Sequence, residues 1–310
     1  MEVIGSYKNG NVFTTLFSDG TKIRHTEDDE FCPEFAENMD IKICDRCDMG
    51  CDWCHEGSAP NGKLGDILNE KFIDTLHPYQ EAAIGGGNVL EHPDLIPFLQ
   101  KLKDRKVVVN ITLNQRHFEN NIGLVDELVK KKLIWGLGVS LVEPTEQFIA
   151  LVKQYSNAVI HAINGIFSPK DAMALGDHDL KLLILGYKDL RRGSEWLEKD
   201  HDYIEMNQGW LSKNIKYIID KFKVVSFDNL AIEQLGIKEQ WRNLSDRPWE
   251  EFYAGDDGSN TYFIDMVERK FARSSTAPMH ERYDLLDNVD DMFAVIKKGK
   301  KYESNYKTAV

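Results

Sequence analysis

The sequence predicts an α/β protein: a partial barrel of six βα units, (β/α)6, with a small β extension at its N-terminus and an α/β cap at its C-terminus. Three observations predict it. Short apolar runs alternate with amphipathic stretches from about residue 40 to 221, the rhythm of βαβ units joined into a parallel sheet. That span holds six units and is shorter than the about 250 residues of a complete eight-unit barrel. The 310 residues are 42% hydrophobic and 29% charged, which is ordinary globular usage rather than that of a disordered or fibrous chain.

Residues 1 to about 27 predict a β-meander, with Asn9-Gly10 and Asp19-Gly20 as its hairpin turns. An acidic linker, 27–30, follows. Ile41-Lys42-Ile43 predicts the first core strand, leading straight into a cysteine cluster. Phe72, Ile73 and Leu76 share a helical face. Ala82-Ala83-Ile84 predicts a buried strand stopped by Gly85-Gly86-Gly87. Pro93 opens a helix with the stripe Leu95, Phe98, Leu99 and Leu102. Residues 107–113 predict strand three, and Leu124, Leu128 and Val129 mark the helix after it. Strand four is expected at 134–142, before a helix marked by Phe148, Leu151 and Val152. Strand five covers 158–163 and ends at Asn164-Gly165. A short helix near 170–175 precedes strand six at 182–185, and a longer helical region runs to about 222. Residues 224–227 offer a late strand, and 261–271 reads as β-like after the turn-rich stretch 255–260. The expected organisation is an extension at 1–35, a core at 36–230 and a cap at 231–310, packed on the core.

The five cysteines are unevenly spread: Cys32, then Cys44, Cys47, Cys51 and Cys54, and none afterwards. A secreted disulfide framework would distribute them through a short chain. The first residues lack the basic and apolar regions of a secretory signal. The reading is therefore a reducing, cytoplasmic setting, where clustered thiols point to metal or catalysis. No apolar run approaches the about 20 residues that span a bilayer. The net charge of −13 disfavours bulk nucleic acid and anionic membranes, which attract a basic field. Lys130-Lys131-Lys132 and Lys297-Lys298 read as solvated charge runs.

The cluster is spaced Cys44-x2-Cys47-x3-Cys51-x2-Cys54. Structural zinc with four thiolates normally separates two C-x2-C knuckles by about 15–20 residues. Iron–sulfur clusters accept tighter loops, because each iron takes its own thiolate at a different corner. The subset Cys47-Asp48-Met49-Gly50-Cys51-Asp52-Trp53-Cys54 is C-x3-C-x2-C with an aromatic residue before the last cysteine, directly after a first strand. In this the chain resembles the radical S-adenosylmethionine (radical SAM) enzymes.

The resemblance implies a partial (β/α)6 TIM-like barrel over the core. It implies that Cys47, Cys51 and Cys54 ligate three irons of a single [4Fe–4S] cluster, with S-adenosyl-L-methionine on the fourth. One electron from the cluster would cleave the sulfonium to a 5′-deoxyadenosyl radical, which abstracts hydrogen from substrate. Cys32 and Cys44 fall outside the pattern and read as structural thiols. Gly86-Gly87-Asn88, running into His92-Pro93-Asp94, looks like the family's glycine–glycine–glutamate region. There glycines let backbone approach the ligand, and Asn88 stands at the usual glutamate position.

Active-site groups of parallel barrels gather at the C-terminal strand ends. With Trp53, Gly86, Gly87 and Asn88, the resemblance implies S-adenosylmethionine contacts at Asn114, Ser140, Glu143 and Asn164. Tyr187, Lys188, Arg191 and Arg192 follow strand six. His55 and Glu56 read as a loop pair, and His161 as a satisfied core histidine. The resemblance also implies a one-electron donor of flavodoxin or ferredoxin type. The acidic charge favours a small-molecule or nucleotide substrate. A non-catalytic iron–sulfur protein and a structural zinc module are the alternative readings.

Overall fold

The structure, a computed structural model, describes residues 2–306, with side chains through residue 299. Strands β1 (Val3–Asn9), β2 (Val12–Phe17) and β3 (Lys22–His25) form the expected antiparallel meander. The first loop is Gly10-Asn11, one residue later than the Asn9-Gly10 signal, because Asn9 pairs with Val12. Gly10 adopts φ 62° and lies under the Cys32 carbonyl, where a Cβ would collide. Asn9 is instead fully buried. Its Nδ2 donates to the Phe35 carbonyl at 2.7 Å, and its Oδ1 accepts from the Glu34 and Phe35 amides. Cys32, expected to be a structural thiol, has an exposed side chain, and its backbone amide donates to Asn11 Oδ1 at 2.7 Å.

The core then runs β4 (Asn38–Cys44), β5 (Glu81–Gly86), α1 (Leu95–Asp104), β6 (Val108–Asn114), α2 (Gln115–Asn120), α3 (Ile122–Lys130), β7 (Gly136–Ser140), α4 (Glu146–Val152), β8 (Ala158–Ile163), α5 (Pro169–Leu175) and β9 (Lys181–Leu185). The expected long helical region is α6 (Arg192–Lys199), α7 (His201–Lys213) and α8 (Ile215–Lys221), broken at Asp200 and Asn214 where the backbone leaves helical geometry. The late strand is β10 (Val224–Phe227). After it come α9 (Asn229–Gln234), α10 (Ile237–Leu244), α11 (Trp249–Phe252), β11 (Thr261–Asp265), β12 (Lys270–Ala272), β13 (Tyr283–Asp284) and α12 (Val289–Tyr306). The helical face at Phe72, Ile73 and Leu76 forms only a short 3-10 turn, Lys71–Thr75, ended by extended backbone at Leu76.

One mixed sheet of ten strands holds the core, in the order β10-β9-β8-β7-β6-β5-β4-β11-β12-β13. From β10 to β11 every neighbouring pair is parallel, and β12 and β13 return antiparallel. The C-terminal segment thus extends the sheet beside the first core strand. Tyr262, Phe263 and Ile264 of β11 are all buried there.

Side-chain alternation gives the sheet two different faces. Met39, Ile41, Ile43, Val109, Ile111, Leu113, Ile160, Leu182 and Ile184 are buried, packed under the helices with Phe98, Leu99, Leu128 and Phe148. The other face carries small and polar groups. Asp40, Ala83, Asn110 and Gly136 lie in one row of register, and Asn114, Ser140, His161 and Leu183 in a higher one. The His161 ring packs over Gly138 next to the Thr112 hydroxyl, so it belongs to this polar face and not to the apolar core.

The sheet curls toward this face. Asn229, just past β10, donates from Nδ2 to Asp257 Oδ1 at 2.6 Å. Asp257 lies just before β11, the neighbour of β4 on the opposite side of the parallel strands. Among the described residues, no helix is long and apolar enough to cross a membrane.

Candidate active site

β4 delivers the chain into a loop whose stem is zipped by backbone hydrogen bonds. The Asp45 amide donates to the Lys63 carbonyl at 2.8 Å, the Cys47 amide to Ala59 at 3.0 Å and the Gly65 amide to Ile43 at 2.9 Å. Inside it, the Cys54 amide donates to the Cys51 carbonyl and the Gly57 amide to Cys54, winding the loop into successive turns. Cys47, Cys51 and Cys54 ride on these turns as half-buried free thiols. Cys44 is fully buried in the strand, and burial pushes its thiol up to about 12. It is a packing group, as its position outside the spacing pattern suggested. Burial also raises the Cys47 and Cys51 thiols, and neighbouring cysteine charge adds to the rise.

Three contacts hold the loop from outside. Arg192, at the start of α6, donates from Nε to the Cys51 carbonyl at 2.9 Å and from Nη1 to the Ser58 carbonyl at 2.9 Å. Arg191 donates from Nη1 to the His55 carbonyl at 2.9 Å, and its own backbone sits at φ 51°, ψ −122°. That region is rarely occupied by a residue with a Cβ, so surrounding contacts must hold it there. On the other side, buried His117 of α2 pairs through Nε2 with Asp48 at 2.7 Å. Cys47 Sγ, an Asp48 oxygen and a His117 ring nitrogen lie within 4.8 Å of one another. No sequence pattern marked His117, because its partner is distant in the chain.

The glycine run lies directly against this loop. The Gly87 amide donates to the Cys44 carbonyl at 2.8 Å, and the Asn88 amide to Arg46 at 2.6 Å. A Cβ on Gly87 would strike the Arg46 carbonyl, and Gly86 adopts φ 121° beneath the Cys44 carbonyl. These glycines are required for close packing of two backbone segments. Asn88 is 4% exposed. Its Oδ1 accepts from the Leu90 amide at 3.3 Å, and its Nδ2 donates to Glu91 Oε1 at 3.0 Å.

The other expected site residues are spread around the rim. Asn114 ends β6 with Nδ2 3.8 Å from Cys51 Sγ, while its Oδ1 accepts from the Arg116 amide at 2.9 Å. Ser140 pairs in register with Asn114 on one side and His161 on the other. Trp53 packs edge-on against Trp196 of α6, with ring centroids 6.3 Å apart. Glu143 points to solvent and pairs with Arg116 at 3.2 Å. Asn164 is fully buried, and its Nδ2 donates to Gln234 Oε1 at 3.0 Å. Gln234 in turn brackets the backbone of Tyr187, so Asn164 meets α9 rather than the cysteine loop.

Below the loop lies a charged cluster that the sequence did not announce. Lys42, 3% exposed, pairs with Asp45 at 2.6 Å, Glu56 at 2.8 Å and Asp265 at 3.3 Å. Burial opposes the charge on Lys42, but these carboxylates outweigh it and hold the ammonium above its ordinary range. Burial likewise opposes the Glu56 charge, and His55 and Lys42 hold its carboxyl well below the ordinary range. One row beneath Lys42, Asp40 shares the inner face with Lys188, Asp257 and Asp228 within electrostatic reach. Asp40 is solvent-accessible on this face, yet the surrounding protein still limits its hydration, and this desolvation, opposed by Lys188 and aided by the two aspartates, raises it to about 6. Lys188 donates from Nζ to Ser275 Oγ at 2.9 Å and lies 3.4 Å from His55 Nε2.

No family model and no curated protein matches the chain. Among solved structures, it is similar to Streptococcus suis SuiB bound to precursor peptide SuiA, with a TM-score of 0.52 at 14% identity, covering 78% of this chain and 60% of that one. SuiB bound to S-adenosylmethionine gives a TM-score of 0.48 at 15% identity, covering 78% and 58%. The chain therefore spans less than two thirds of the SuiB chain in both. At such identity the likeness to the peptide-bound structure shows a shared α/β fold.

Proposed function

We propose that the chain is a radical SAM enzyme, with Cys47, Cys51 and Cys54 as the three protein ligands of a [4Fe–4S] cluster. The observation that carries this reading is the C-x3-C-x2-C loop itself, presenting three free thiols just past the C-terminal end of the first parallel strand. The donor set fits the group. Among the described residues, the three thiols do not form a trio as tight as Cys47, Asp48 and His117. Tetrahedral zinc, with Zn–S near 2.3 Å, would draw them within about 4 Å of one another. A cluster whose irons sit at separate corners takes them further apart.

When bound, the cluster and S-adenosylmethionine supply one-electron cleavage of the sulfonium and hydrogen abstraction from substrate. The chain's own residues bind and orient. Arg192 and the Cys47–Ala59 backbone bond fix the loop, so the thiols keep their spacing before any ligand arrives. Trp53, Gly86, Gly87, Asn88, Ser140 and Glu143 remain the candidates for holding S-adenosylmethionine, with Gly86 and Gly87 offering backbone at close range. The curled sheet, read as a partial barrel, would hold substrate over its polar face. An external one-electron donor completes the system.

The substrate is proposed to be a small molecule or nucleotide. The peptide bound to SuiB, whose fold this chain shares, makes a peptide the second class to assay. A mononuclear metal centre is the second reading of the site, favoured by the proximity of Cys47, Asp48 and His117. Reduced, reconstituted protein with S-adenosylmethionine tests the first reading. It should form 5′-deoxyadenosine well above a Cys51→Ala control; equal amounts in both would refute it.

A further inference from the structure

We propose that Asn114 donates a hydrogen bond to the Cys51 sulfur that raises the reduction potential of the cluster. This rests on the reading of Cys51 as a cluster ligand, and it assigns Asn114 to the metal centre rather than to the S-adenosylmethionine it was expected to touch.

The orientation of the amide is fixed by its own hydrogen bonds. Asn114 Oδ1 accepts from the Arg116 amide at 2.9 Å, so the carbonyl end is committed to capping α2. The NH2 end is left facing Cys51, with Nδ2 3.8 Å from Sγ. The reverse orientation would set an NH2 against an N–H donor. Three residues on, His117 grips Asp48 at 2.7 Å, next to Cys47. Asn121 Nδ2 donates to the His117 carbonyl at 2.8 Å, closing the same short helix on itself. The turn that follows β6 therefore meets the cysteine loop twice, once directly at Cys51 and once through Asp48.

A donor aimed at a ligand sulfur withdraws electron density from it. It stabilises the reduced, more negative cluster over the oxidised one, and the potential rises. Removing the donor reverses the effect. Asn114→Asp keeps an oxygen for the Arg116 amide, removes the N–H and adds negative charge beside the sulfur. Asn114→Ser also keeps a capping oxygen but has a shorter side chain that withdraws the donor without adding charge.

The experiment is an EPR-monitored redox titration of the anaerobically reconstituted full chain, wild type against both variants. Circular dichroism first confirms that both remain folded. Both variants should titrate at more negative potential than wild type, Asp further than Ser. The Ser variant keeps the experiment decisive should the Asp carboxylate repel the cluster. A role limited to capping α2 would leave the Ser variant at the wild-type potential, with the Asp variant lowered by its added charge alone, and that result overturns the inference while the cluster reading stands. Wild-type protein that takes up no iron and sulfide overturns both together.

Discussion

The Arg192 guanidinium bridges the carbonyls of Cys51 and Ser58, 2.9 Å from each, and so ties the two ends of the thiol-bearing turns to the start of α6. Two fixed donors in one planar group match two fixed acceptors. Arg192→Ala should cost about 1–3 kcal/mol, from the usual worth of charge-assisted hydrogen bonds at a partly exposed site. Arg192→Lys should recover little of this, because a single ammonium does not span both carbonyls. Urea midpoints at constant m-value measure it; a midpoint equal to wild type in the Ala variant contradicts the clamp.

Lys42 is the cation shared by Asp45, Glu56 and Asp265. Lys42→Met removes the shared cation, while Glu56 keeps Arg191 at 3.3 Å and Asp265 keeps Arg282 at 3.6 Å, so it should cost up to about 3–5 kcal/mol near neutral pH. The pH dependence has a definite sign. Glu56 is held below its ordinary value of 4.5. Its contribution is fully present above that value and is lost as pH falls through the lower folded value. The gap between wild type and variant should therefore narrow in acid. Stability curves from pH 3 to 8 check this, and a gap that widens toward pH 3 contradicts it.

Asp40 works in the opposite sense. Its folded value of about 6 exceeds the ordinary 3.8, so the folded state holds its proton longer than the unfolded one. The resulting penalty is absent in acid, grows as pH rises from about 4 and is complete above about 6. Asp40→Asn should be more stable than wild type at pH 8, with the advantage fading toward pH 4. Thermal unfolding at the two pH values tests this, and an advantage equal at both would refute the assignment.

Asn88 is buried against Glu91, to which it donates at 3.0 Å. Asn88→Glu would restore the glutamate of the resembled motif but set two carboxylates together. It should destabilise by about 1–3 kcal/mol, and Glu91→Gln should rescue part of that loss. A double-mutant cycle reads the coupling; additive effects would show that the two side chains do not communicate.

Much of this was legible along the chain, and the reason is local. Val108-Val109-Asn110-Ile111-Thr112-Leu113 shows its strand through alternation of buried and half-buried positions, and the cysteine spacing is written within one loop. What escaped depends on residues far apart in sequence. The apolar run Tyr262-Phe263-Ile264 reads as β-like, but nothing in it says that it pairs beside β4. His117 and Asp48 are 69 positions apart, and Arg192 and Cys51 are 141 apart. Asn9 carries an ordinary turn signal, yet its side chain is used to anchor Phe35. The Lys42 cluster was missed for a related reason: a lysine in a short strand resembles any edge charge until Glu56 and Asp265, brought from elsewhere in the chain, join the adjacent Asp45 around it.

Metal and sulfide analysis of the anaerobically reconstituted chain tests directly whether Cys47, Cys51 and Cys54 hold an iron–sulfur cluster. About four iron and about four labile sulfide per chain are expected, lost together when Cys47, Cys51 or Cys54 is replaced by Ala and retained in Cys32→Ala and Cys44→Ala. One zinc per chain with no labile sulfide would contradict the cluster.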